Sequence, residues 1–122
     1  MHGLDPAVLP YLLTIAGAAT ESIAIVLLDA GGRALAVHHI PSPRISSVSV
    51  PLRTVVALAL AHDSHDIVMV HNHPSGDPEP SRDDVRTTRR VASALDALGI
   101  RLVDHLVLAA DASVSFRARG LL

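Results

Sequence analysis

Ile67-Val68-Met69-Val70-His71-Asn72-His73-Pro74-Ser75-Gly76-Asp77-Pro78-Glu79-Pro80-Ser81-Arg82-Asp83-Asp84 decides how this 122-residue sequence is read. Ile67 to Val70 is a short, largely β-branched apolar run of the kind that forms a buried strand. His71 to Pro80 is a polar loop rich in Gly and Pro. From Ser81 to Leu98 the apolar positions Val85, Val91, Ala94, Leu95 and Leu98 follow helical spacing, and Gly99 terminates the run. His71 and His73 stand two apart at a strand end, so their side chains point the same way and two imidazoles can converge on one cation. Pro74 reinforces this, because a residue before proline is pushed out of the helical region.

Asp84 is the third candidate ligand. With Ser81 as N-cap, Asp84 falls in the first helical turn, which the Gly/Pro loop can fold back beside the two histidines. Two imidazoles and one carboxylate leave a fourth tetrahedral position for water, the open arrangement of a catalytic zinc site. Taken alone, Ser81-x-x-Asp84 reads as a capping box in which a first-turn Asp is stabilised by the helix dipole. The two readings are compatible, since a ligand at a helix start can also cap it.

Working outward, Leu102 to Leu108 reads as a strand, followed by a turn at Asp111 and a short strand at Val114 to Phe116. Before the decisive stretch, Pro51 opens a helix with Leu52, Val55, Val56, Leu58, Ala59 and Leu60 on one face. Ser22 to Leu28 is a β-branched apolar strand that ends at the turn signal Asp29-Ala30-Gly31-Gly32, and Arg33 to Ile40 returns as a hairpin partner. Pro41-Ser42-Pro43 is a loop and Ile45 to Val50 alternates weakly as a third strand. Asp5-Pro6 caps an N-terminal helix expected to run to about Ala18, with Pro10 an irregularity inside it. The order of helix, strands, helix, strand, helix and strands predicts an α/β (mixed α+β) fold. It is a single domain, residues 1–122, with residues 1–19 an N-terminal helix and 21–122 a mixed β-sheet flanked by helices.

Composition narrows the chemistry. The sequence lacks cysteine, so disulfides and thiolate metal sites are excluded and any metal needs His and carboxylates. All ten basic residues are Arg, which removes lysine nucleophiles and Schiff bases. The net charge of −2 gives no general attraction to phosphate backbones. The apolar stretch Ala7 to Ala19 is too short to span a membrane, and Met1 to Pro6 carries no Lys or Arg, so the expectation is a cytoplasmic protein with a helix there and not a secretory signal.

His71-x-His73-Pro74, six residues, then Ser81-x-x-Asp84 resembles the JAMM metalloprotease motif of the MPN/JAB domain family. His71-Asn72-His73-Pro74-Ser75-Gly76 with Pro80-Ser81, the tail Asp104-His105-Leu106-Val107-Leu108, Val114-Ser115-Phe116 and Arg119-Gly120, and Arg53-Thr54-Val55-Val56 resemble its RadC branch, over about Glu21 to Leu122. The resemblance implies a cytidine-deaminase-like architecture and a Zn2+ site held by His71, His73 and Asp84. By the same resemblance Glu21, before the first long strand, handles the proton of the zinc-bound water, and Ser81 donates to the developing oxyanion. By residue reading alone, Glu21 is an exposed residue at a strand start and Ser81 is an N-cap. The reaction implied is hydrolysis of an amide, peptide or isopeptide.

Three departures from the RadC pattern concern the substrate surface. These residues leave no room for the family's N-terminal helix-hairpin-helix region, Pro43-Arg44 replaces a common Gly-Thr, and Leu52-Arg53-Thr54 replaces Pro-Arg-Glu. The competing reading is a non-catalytic module that binds nucleic acid or a DNA-repair partner, motivated by Arg82, Arg86, Arg89 and Arg90 on one helix, which otherwise read as a solvated face. A third is a zinc hydrolase of nucleotides or other non-peptide amides. His38-His39 read as loop-edge residues, His62-x-x-His65 as the polar end of a helix, and His105 as a structural residue near the site. A homodimer is compatible with the apolar composition.

Overall fold

A computed structural model describes residues 4–41 and 52–122. The elements are a 3-10 turn at Pro6–Val8, α1 (Leu9–Ala16), β1 (Ser22–Leu28), β2 (Ala34–Pro41), α2 (Leu52–Ala61), β3 (Asp66–Asn72), α3 (Arg82–Asp96), β4 (Arg101–Leu108) and β5 (Ser113–Ser115). The strands form one sheet in the order β2-β1-β3-β4-β5. Among the described residues only β3 and β4 pair in parallel, and α3 makes the crossover between them, as a parallel pair requires. The mixed sheet between helices is the α/β architecture expected from the element order.

Strand periodicity builds two cores. Ile23, Ile25, Leu27, Ile67 and Met69 pack on one face against Val55 and Ala59 of α2 and Val91 and Leu95 of α3. The alternate residues Ala24, Val26, Leu28, Val68 and Val70 pack on the other face against Val8, Leu12 and Ile15. With both faces covered, β1 is buried along its whole length, which is why it reads as a continuous apolar run and not an alternating one.

Local chemistry explains the ends. Asp29 Oδ1 accepts from the Gly31 and Arg33 amides at 2.9 Å each, and Gly32 takes a φ of 84°, closing the β1–β2 hairpin. Asp5 accepts from Ala7 N and starts the 3-10 turn. Pro10 falls in the first turn of α1, where no intrahelical N–H is required, so it interrupts nothing. The helix ends at Ala16, two residues short of the expected Ala18, with Gly17 at its C-cap.

Pro41, expected in a loop, is the last residue of β2, while the rest of that loop at 42–43, the expected third strand at 45–50 and Pro51 lie outside the described residues. His38 and His39 fall in the strand expected from Arg33 to Ile40, close to its end. They lie within β2, opposite Ile25 and Ala24, and are exposed on a strand at one end of the described sheet. His62 and His65 follow the end of α2 and are exposed. No described helix is long and apolar enough to cross a membrane.

Candidate metal centre

The centre lies at the end of β3, on the face covered by α3. In the antiparallel β1–β3 ladder Ile23 pairs with His71. Glu21 lies two residues before Ile23 and His73 two after His71, so both leave the ladder's end on the side of that pair. Residues 50 positions apart in sequence are thereby brought together. Glu21, His71 and His73 offer ligand atoms that all lie within 4.8 Å of one another. Asp84 approaches from α3: its Oδ1 is 4.0 Å from His71 Nδ1 and its Oδ2 is 3.3 Å from His73 Nε2. Two ligands on a tetrahedral zinc at ~2.1 Å are roughly 3.4 Å apart, so the His73–Asp84 separation already suits a shared cation.

The backbone arranges this in small steps. His73 N donates to Leu108 O at 2.8 Å and extends the β3–β4 pairing past Asn72. His73 Nδ1 lies 2.9 Å from Asp77 O. A carbonyl only accepts, so Nδ1 carries the proton in the neutral ring and Nε2 presents a lone pair toward Asp84, the tautomer a metal requires. The loop turns at Gly76, with a φ of 91° and its amide donating to His73 O. Arg119 Nη1 ties the loop to the C-terminal tail through Glu79, at 2.6 and 2.8 Å.

Ser81 and Asp84 form the capping box: Ser81 Oγ accepts from Asp84 N at 3.0 Å, and Asp84 Oδ2 accepts from Ser81 N at 2.8 Å. The cap therefore aims the carboxylate. Because Ser81 Oγ accepts in this pair, its own proton is free for another partner.

Behind His71 lies His105, whose ring centre is 5.5 Å away and which stacks on Phe116 at 4.5 Å. Thr88 Oγ1 donates to Asp84 O at 2.6 Å and so accepts from His105 Nδ1 at 2.7 Å. That chain fastens the ligand-bearing turn of α3 to β4 and gives His105 a positioning task that the sequence indicated only in outline.

Several buried polar atoms here lack partners. Glu21 Oε2, His71 Nδ1 and His105 Nε2 are three of the four such side-chain atoms among the described residues. Buried polar groups are rarely left unpaired without a reason, and a bound ion is one. Burial pushes the His71 imidazole down to about 4 and His105 down to about 3, and it raises the Glu21 carboxyl above its ordinary value. Nitrogen and oxygen donors without thiolates suit zinc and other first-row metals alike.

One contributor escaped the sequence reading. Asn72, between the two histidines, faces the opposite side of β3 and is fully buried. Its Oδ1 accepts from Ser22 N at 2.7 Å, and its Nδ2 donates to Ala18 O at 3.3 Å and Thr20 O at 3.0 Å. Its position inside His-x-His, with the side chain turned inward, was the available signal. The arginines of α3 are exposed, and Arg86 pairs with Asp83 at 3.4 Å.

The model of the RadC-like JAB domain matches residues 6–121. The chain is 38% identical over 102 residues to a UPF0758 protein of Symbiobacterium thermophilum, covering 84% of this chain and 44% of that protein. It is 40% identical over 117 residues to a UPF0758 protein of Rhodobacter capsulatus, covering 95% and 55%. It is 44% identical over 102 residues to one of Thioalkalivibrio sulfidiphilus, covering 84% and 45%. The chain thus spans about half the length of the curated relatives it matches.

Proposed function

This chain belongs to the RadC-like JAB domain family, and from that premise we propose that it is a zinc-dependent hydrolase of peptide or isopeptide bonds. The observation that carries the reading is the convergence of Glu21 on His71 and His73, with Asp84 within 4.0 Å of both rings. His71, His73 and Asp84 would hold the metal. A zinc ion held by them would supply Lewis acidity, making water a nucleophile near neutral pH and polarising a substrate carbonyl.

Glu21 then has the proton-transfer role. Its Oε2 is buried and without a partner, so it is free to accept a proton at that oxygen and return it to the leaving amine nitrogen. Ser81 keeps a free hydroxyl proton to donate to charge developing on the carbonyl oxygen, a contact typically worth ~3 kcal/mol of barrier. Thr88, His105 and Phe116 hold the α3 turn and the His71 side of the site in place.

The test combines elemental analysis with hydrolysis of a peptide library by the zinc-loaded protein. One zinc per chain, lost in His71→Ala/His73→Ala, and cleavage abolished in Glu21→Gln with zinc retained are the expected results. A protein that takes up no zinc, or a Glu21→Gln variant that still cleaves, overturns the reading.

The second reading, a non-catalytic module for nucleic acid or a repair partner, draws on the exposed Arg82, Arg86, Arg89 and Arg90. It requires salt-dependent binding of an oligonucleotide that weakens in Arg86→Ala/Arg89→Ala.

A further inference from the structure

We infer that Asn72 is a positioning residue for Glu21: its side-chain amide holds the turn between α1 and β1 so that the carboxylate faces the histidine pair. The inference rests on the proposed role of Glu21.

The β1–β3 ladder makes its last regular pair at Ile23 and His71. One residue further on, Ser22 N bonds to the Asn72 side chain. The two Nδ2 protons of Asn72 go to Ala18 O and Thr20 O. Both donors and one acceptor of the amide are therefore used on the single turn that carries Glu21. The orientation is unambiguous, because a flipped amide would set an N–H against Ser22 N and an oxygen against two carbonyls.

The surroundings argue that the asparagine serves this turn. Asn72 shares its face of β3 with Val68 and Val70, which pack in an apolar cluster. A polar amide is kept in such a place only when its bonds are satisfied. Because Asn72 lies between His71 and His73, one short segment sets both the ligands, on one face, and the carboxylate that serves them, through the other.

The probe is Co2+ alone, read by its d–d absorption spectrum in the loaded protein, together with amide exchange at Ser22. Asn72→Ala is expected to speed exchange at Ser22 and to bind Co2+ within about threefold of the parent affinity, less than the ~10–100-fold cost of losing a partner of a ligand. Its spectrum should change in the same direction as that of Glu21→Ala. In the Glu21→Ala background, Asn72→Ala should add no further change, which is the signature of two residues acting as one unit. Asn72→Asp keeps the shape and the Ser22 acceptor but loses both donors, and it repeats the test if the alanine variant does not fold. A Glu21→Ala spectrum that changes while both Asn72 variants leave it unaltered overturns the inference alone. So does an Asn72 effect of equal size in the Glu21→Ala background. A Glu21→Ala spectrum identical to the parent overturns the Glu21 reading itself.

Discussion

Asp84 Oδ2 does two things at once: it lies 3.3 Å from His73 Nε2 and accepts the Ser81 amide at 2.8 Å. The capping box and the metal-ligand reading therefore share one oxygen. The two roles separate by substitution. Asp84→Asn retains an oxygen for the cap, so the metal-free protein should lose no more than ~1 kcal/mol in urea denaturation. Zinc affinity, measured by competition with a chelator, should fall beyond the ~10–100-fold typical of outer-shell changes. Unchanged affinity would reduce Asp84 to a helix cap.

Zinc should stabilise the fold, because the proposed ligands, His71 in β3, His73 just after it and Asp84 in α3, converge only in the native state. At a free concentration of about 100 times Kd the gain is ~2.7 kcal/mol. For a domain of this size that corresponds to a rise in Tm of roughly 10 °C. His71→Ala/His73→Ala should show no rise on adding zinc, read by differential scanning fluorimetry.

The metal-free protein should weaken in mild acid. Burial holds His71 at about 4 and His105 at about 3 in the folded state. Unfolded histidines titrate at about 6.5. Between these limits the unfolded chain binds more protons, so stability falls as pH drops below about 6.5, by ~1.4 kcal/mol per unit for each fully withheld proton. Urea midpoints that stay level from about pH 7.5 to about pH 5 would contradict the buried, neutral state of both rings.

Phe116, the sole phenylalanine, is fully buried and stacks on His105. Phe116→Ala should cost about 3–5 kcal/mol. Phe116→Leu should cost less in stability yet still release His105, which faster amide exchange through α3 and β4 would report.

Much of the architecture was legible because it follows from local periodicity. The β-branched runs at Ser22–Leu28 and Ile67–Val70 formed strands, and the apolar stripe of Val91 and Leu95 put α3 on the sheet. His71 and His73 were paired by the strand period, and Ser81 and Asp84 by the spacing of a helix start. Glu21 was different: nothing local connects it to His73, and only family resemblance suggested the link. His38 and His39 fell in the strand expected from Arg33 to Ile40, although their exposed run lacks the alternation that marks a buried face.

By itself, then, the sequence determined the strand-loop-helix unit from Ile67 to Asp84 and the chemical type of its donors, since both depend on spacings of two and three residues. Tertiary structure alone decided that Glu21 stands beside His71 and His73, that Asn72 bonds the segment that carries Glu21, and that His105 braces the α3 turn through Thr88. Those relationships depend on the register of β1 against β3 and of α3 against β4. That register is set by burying both faces of the sheet at once, a condition that no short stretch of sequence contains.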